Sequence, residues 1–164
     1  MSSETLKKLA PILVLSLVCL TLTIVSLFTS GWIVFSYTWT KKRSSIGFIP
    51  YMTSPTWFCA ATWLMFISLF SSFSKAIDAI WAAIKVSRNG FCQQFRRNFH
   101  ELVAGDCMTI ALQLSAFIVV AANLRKEADI TETLGYSAYL ALCSVIVCIL
   151  EIVYIIHFIL PREF

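Results

Sequence analysis

From Leu9 to Thr40 the chain carries no charged residue, between Lys7-Lys8 on one side and Lys41-Lys42-Arg43 on the other. About 20 residues of helix cross the apolar core of a bilayer, so this run can span it and continue beyond. Ser16, Cys19, Thr21, Thr23, Ser26 and Ser30 are spread along the run. In lipid, small residues let helix backbones approach closely, and a hydroxyl can bond the carbonyl one turn back. Ser26 and Ser30, four residues apart, form a first candidate contact face. Trp32, Tyr37 and Trp39 stand where a belt of interfacial aromatics belongs. The run predicts a first transmembrane helix over residues 9–34 that packs against partners. A cleavable signal peptide fits less well, because the apolar stretch is too long and lacks a small-x-small cleavage site before Trp32.

Three further apolar runs follow. Trp57 to Ser74 starts with interfacial aromatics and continues through KAIDAIWAAIKVS, which predicts a helix over 57–84. Lys75 and Asp78 share one face of it at i, i+3 spacing. They read as a snorkelling pair at the membrane edge, or alternatively as a charge pair facing a pore or a partner. Cys107 to Leu124 predicts a helix over 104–124, with Asp106 at its cytoplasmic edge, Ala111 and Ser115 as a second small-residue face, and Gln113 able to bond between helices. The fourth run predicts a helix over 134–160 and carries the third small pair, Ser137 and Ala141. Glu151 interrupts it, and an ionisable group at membrane depth is a functional candidate. With 59% hydrophobic residues among 164 and a mean hydropathy of +0.80, a soluble fold of this size would lack the polar residues to cover its surface. The fold class expected is an all-α membrane protein, a single four-transmembrane-helix bundle with short outer loops.

Between the runs, RNGFCQQFRRNFHEL places Phe91, Phe95 and Phe99 at four-residue intervals among Arg88, Arg96 and Arg97. That pattern predicts a basic amphipathic cytoplasmic segment over 88–102 lying on an anionic inner leaflet. The segment SSIGFIPYMTSPT is broken by Gly47, Pro50 and Pro55 but stays apolar at Phe48, Ile49, Tyr51 and Met52. It suits a loop or short hairpin against the membrane surface or in a partner's groove. The six cysteines show no C-x-x-C, and their spacings suit no zinc site or disulfide framework. They read as small helix-packing residues. No cofactor is expected beyond bound lipid.

Base counts set the expected orientation. With the N-terminus inside, Lys7, Lys8, Lys75, Lys85, Arg88, Arg96, Arg97 and Arg162 are cytoplasmic, and Lys41, Lys42, Arg43, Arg125 and Lys126 are outside. The excess favours both termini in the cytoplasm. The net charge of +4 is no nucleic-acid signal, since the bases cluster at the ends of apolar runs.

Four helices, Ser30-Gly31-Trp32 at the exit of the first and Leu134-Gly135-Tyr136-Ser137-x-x-Leu140 at the entry to the fourth resemble the claudin and peripheral-myelin-protein superfamily. Its claudin-like members and channel auxiliary subunits are nearest in character. The resemblance implies that Trp32 is the family's tryptophan before the first outer loop. The family's Gly-Leu-Trp followed by two cysteines is absent, and the first outer loop is shorter than the family's usual one. The function expected is a non-enzymatic tetraspan protein of the plasma membrane. It would act by lateral contact with a larger integral membrane protein, an ion channel or receptor, or by self-association as a cell-junction protein. Candidate contacts are Trp32, Phe48, Ile49, Tyr51, Met52 and the pairs Ser26/Ser30, Ala111/Ser115 and Ser137/Ala141. A channel or transporter in its own right is the alternative, with only Lys75, Asp78, Gln113 and Glu151 to line a path. No nucleophile–base pair supports a membrane enzyme.

Overall fold

The computed structural model describes residues 3–37, 42–49, 55–89, 96–124 and 130–159. Four long helices carry the fold: α1 (Ser3–Phe28), α2 (Thr56–Asn89), α3 (Arg96–Ala122) and α4 (Tyr136–Tyr154). A single π-helical turn, Ile155–Ile159, prolongs α4. Each helix is long and apolar enough to cross a membrane. Large apolar side chains such as Trp63, Phe70, Ile118 and Ile146 are exposed along them, as a surface solvated by lipid requires. This is a multi-pass membrane protein built as a four-helix bundle.

Two buried clusters show how the helices run. At one end, Leu9 and Ile12 of α1 meet Ala79, Ala82 and Val86 of α2, Phe99 and Leu102 of α3, and Ile155 and Ile159 after α4. At the other, Leu27 meets Phe58, Ala61 and Met65, Ala116 and Val120, and Ala138 and Ala141. The helices therefore alternate in direction, and the start of α1 lies at the same end of the bundle as the π-helical turn after α4.

The opposite end carries a three-stranded antiparallel sheet in the order β2-β1-β3, made of β1 (Ile33–Tyr37), β2 (Arg43–Ile46) and β3 (Ile130–Leu134). Ile33 pairs with both Ile46 and Leu134, so the two loops between helices are knitted through β1. The first helix consequently ends at Phe28, six residues short of the expected Val34. A continuous apolar run does not separate helix from buried strand; the β-branched and aromatic sequence Ile33-Val34-Phe35 does. Gly31 makes the break sterically possible, since a Cβ there would overlap the Tyr136 ring, and one on Gly135 would overlap the Gly31 carbonyl. The backbone then closes the junction: Gly135 N–H bonds the Trp32 carbonyl and Ser137 N–H bonds that of Gly31, both at 3.0 Å.

The described parts of the segment over 88–102 belong to the long helices. Arg88 and Asn89 complete α2, and residues 96–102 form the first turns of α3. Phe99 and Leu102 turn inward and are fully buried, because the end of the bundle needs that apolar stripe to close. Phe91 and Phe95 lie outside the described residues.

Candidate functional site

Helices α1 and α4 meet along a seam of small residues. Descending α1, Ser16, Cys19, Thr23 and Ser26 each meet a residue of α4 or of its entry. Ser16 donates to a carboxylate oxygen of Glu151, and the Cys19 and Cys148 sulfurs are 3.1 Å apart. Thr23 and Ser144 share a hydroxyl hydrogen bond at 3.1 Å, and Ser26 donates to the Ser137 carbonyl at 2.8 Å. Steps of three and four residues return to one helix face, so positions 16, 19, 23 and 26 share the seam, whereas Thr21 and Ser30, also small, are exposed off it. Without water to expel between helices, close packing and hydrogen bonds of this kind supply the association. Gln113 of α3 extends the network by donating to Thr23 at 2.8 Å.

Towards the start of α1 the seam becomes ionic. Lys75 of α2 places its Nζ 2.5 Å from Asp106 Oδ1 on α3 and 3.1 Å from Glu151 Oε2 on α4. All three side chains are at most 1% exposed. With Ser16, every helix contributes to this layer. Gly105 packs beside the lysine stem, where a Cβ would meet Lys75 Cγ at an ordinary 3.6 Å. Taking ions out of water is costly, and breaking such a buried cluster by removing one partner typically costs about 3–5 kcal/mol.

This arrangement revises the reading of Lys75. It does not pair with Asp78, which is exposed on the same helix; spacing placed the two on one face but did not fix where the long lysine chain would turn. Asp106 is a core residue, not a cytoplasmic edge marker. A single base in one apolar run and single acids in two others was the available signal for the triad, and i, i+3 proximity obscured it. Glu151 lies fully buried at membrane depth, where its position in the fourth run puts it.

The expected contact residues divide sharply. Trp32 and Phe48 are fully buried, their rings 4.3 Å apart, with Phe58 beyond at 5.0 Å from Phe48, each pair tilted by 42°. The Trp32 indole N–H donates to the Ser26 carbonyl at 2.6 Å. These two aromatics anchor the sheet to the bundle and offer a partner nothing. Ile49 is half-buried; Tyr51 and Met52 lie outside the described residues. Ser26, Ser137 and Ala141 are buried in the α1–α4 seam, while Ser30 is exposed beside it. Ala111 and Ser115 are both exposed on the outer face of α3, flanked by exposed Met108 and Ile118. Arg88, Arg96 and Arg97 are exposed at the end that holds the start of α1, Arg97 in an ion pair with Glu101 at 3.0 Å. A pair this exposed contributes at most about 1 kcal/mol.

A family model described as tight junction protein, claudin-like, matches residues 1–162. No curated protein matches the sequence.

Proposed function

The chain belongs to the claudin-like family of tight junction proteins, and we propose that it is a non-enzymatic tetraspan protein that acts by lateral contact with a larger integral membrane protein. The contact is the outer face of α3. One observation carries this reading: of the three small-residue pairs, Ser137/Ala141 and half of Ser26/Ser30 are consumed inside the protein, whereas Ala111 and Ser115 are both left exposed. In lipid a small-residue face permits another helix to approach closely, which bulky neighbours elsewhere on the surface do not. The partner we propose is an ion channel or receptor of the plasma membrane, with self-association as the second arrangement. The chain ends are proposed to be cytoplasmic, with Arg88, Arg96 and Arg97 against anionic headgroups.

A pore through this chain is less well supported. The buried groups that would line one are tied to other helices, Lys75 to Asp106 and Glu151 and Gln113 to Thr23, and Asp78 is exposed on the outside of α2.

Paired enlargement tests the proposal. A111L/S115L should leave a folded, expressed protein that no longer co-purifies with its membrane partner. S137L/A141L should fail to accumulate, because the added volume falls inside the α1–α4 seam. Co-purification unaffected by A111L/S115L would remove α3 as the contact.

A further inference from the structure

Cys19 and Cys148 occupy opposite walls of the α1–α4 seam, both with no exposed surface and with their sulfurs 3.1 Å apart. The register that brings them together is fixed on either side. One turn away in one direction Ser16 bonds Glu151, and in the other Thr23 bonds Ser144. Cys19 Sγ is also 3.4 Å from Ser144 Oγ. Disulfide formation requires two sulfurs on suitably close backbones, and here the helix packing holds them in contact before any bond forms. Lys75 touches the same site, its Nζ 3.7 Å from Cys148 Sγ. Lys75 also lines an open groove of about 270 Å³ between α2 and α3, together with Ser71, Ser74, Asp78 and Glu101. A small polar oxidant in that groove is separated from the thiols by the lysine side chain.

We infer that Cys19 and Cys148 are a redox-active dithiol, a modification site that takes hydrogen peroxide as its oxidant and closes to a disulfide between α1 and α4. One sulfur attacks a peroxide oxygen: an S–O bond forms, the O–O bond breaks, and the thiol proton leaves with the other oxygen as water. The second sulfur then attacks the sulfenic sulfur. The S–S bond forms, the S–O bond breaks, and the hydroxyl departs as water with the second thiol's proton. Two electrons pass from the dithiol to one peroxide, giving two waters. The product ties the two helices at the level of the Lys75–Asp106–Glu151 layer, and a thiol reductant reverses it.

The test uses the full chain in lipid nanodiscs with Cys59, Cys92, Cys107 and Cys143 replaced by Ser. Before treatment, denaturation in a mass-tagged maleimide should give two adducts. After hydrogen peroxide it should give none, and dithiothreitol should restore both. In the same background, C19S and C148S each hold one thiol and can close no bond, so a variant that loses its adduct should carry a dimedone-reactive sulfenic acid, which the two-cysteine protein should not accumulate. Two adducts surviving peroxide would overturn the inference, as would label lost from the two-cysteine protein to dimedone-reactive sulfenic acid with no Cys19–Cys148 linked peptide. Should the four-serine variant not fold, peptide mapping of the natural chain after peroxide decides the matter: a Cys19–Cys148 linked peptide upholds the dithiol, and free thiols at both positions refute it.

Discussion

Lys75 shows how much a single side chain can reorganise a membrane interior. Its ammonium serves two carboxylates from two other helices, so Lys75→Met leaves both buried acids without their cation. A loss of about 3–5 kcal/mol is expected, read as a lower unfolding midpoint in detergent titrations. The triple variant K75M/D106N/E151Q should recover most of it, because neutral groups carry a much smaller burial cost. If the triple variant is no more stable than Lys75→Met, the layer is not held by charge complementarity. At Gly135 the effect is steric: a Cβ would enter the Gly31 carbonyl, whereas at Gly105 it would meet the lysine stem at an ordinary 3.6 Å. Gly135→Ala should therefore destabilise by about 1–3 kcal/mol and Gly105→Ala by much less, measured in the same titrations. Glu151 was legible as a charge inside an apolar run. Its partners were not, since Asp106 sits near the start of its own run and Lys75 has a nearer acid in sequence.

At the level of elements, apolar run length identified four helices, but of the small residues in α1 only those at positions 16, 19, 23 and 26 form the packing face, and Ser30, paired with Ser26 by spacing, falls outside it. The strands were hidden. β1 continues the same charge-free stretch as α1, and hydropathy does not register the change from helical to extended backbone; only Gly31 and the β-branched residues after it mark the change. β3 pairs with β1 across nearly a hundred residues of sequence, a contact no local pattern encodes. The register gives a direct check. Val34 lies opposite Thr133, and directly paired residues have Cα atoms about 4.5–5.5 Å apart. A V34C/T133C variant should cross-link under mild oxidation and V34C/T131C should not. Equal cross-linking of both would mean that the sheet is not held in this register. The amphipathic segment over 88–102 was legible as a stripe, but a stripe does not say what it faces; Phe99 and Leu102 face the bundle.

On the scale of the whole molecule, the alternating helices place the start of α1 and the π-helical turn after α4 opposite the sheet, and the proposed orientation puts the sheet outside the cell. A cysteine at exposed Thr133 should then react with an impermeant maleimide applied to intact cells; reaction only after permeabilisation would invert the topology. Much of the interior has a structural use: the α1–α4 seam is hydrogen-bonded, Lys75 pairs with Asp106 and Glu151 although Asp106 Oδ2 has no hydrogen-bond partner, and the aromatic cluster of Trp32, Phe48 and Phe58 holds the sheet down. Of the three small-residue pairs, the one left without an internal use is Ala111/Ser115 on α3. Photo-crosslinking in native membranes addresses it most directly, with a benzophenone amino acid placed at Ser115 and, as a lipid-facing control on α4, at Ile146. The lateral-contact account predicts a discrete adduct with one integral membrane protein from position 115 and none from 146. Lipid adducts alone at both positions, or the same protein adducts from each, would contradict it.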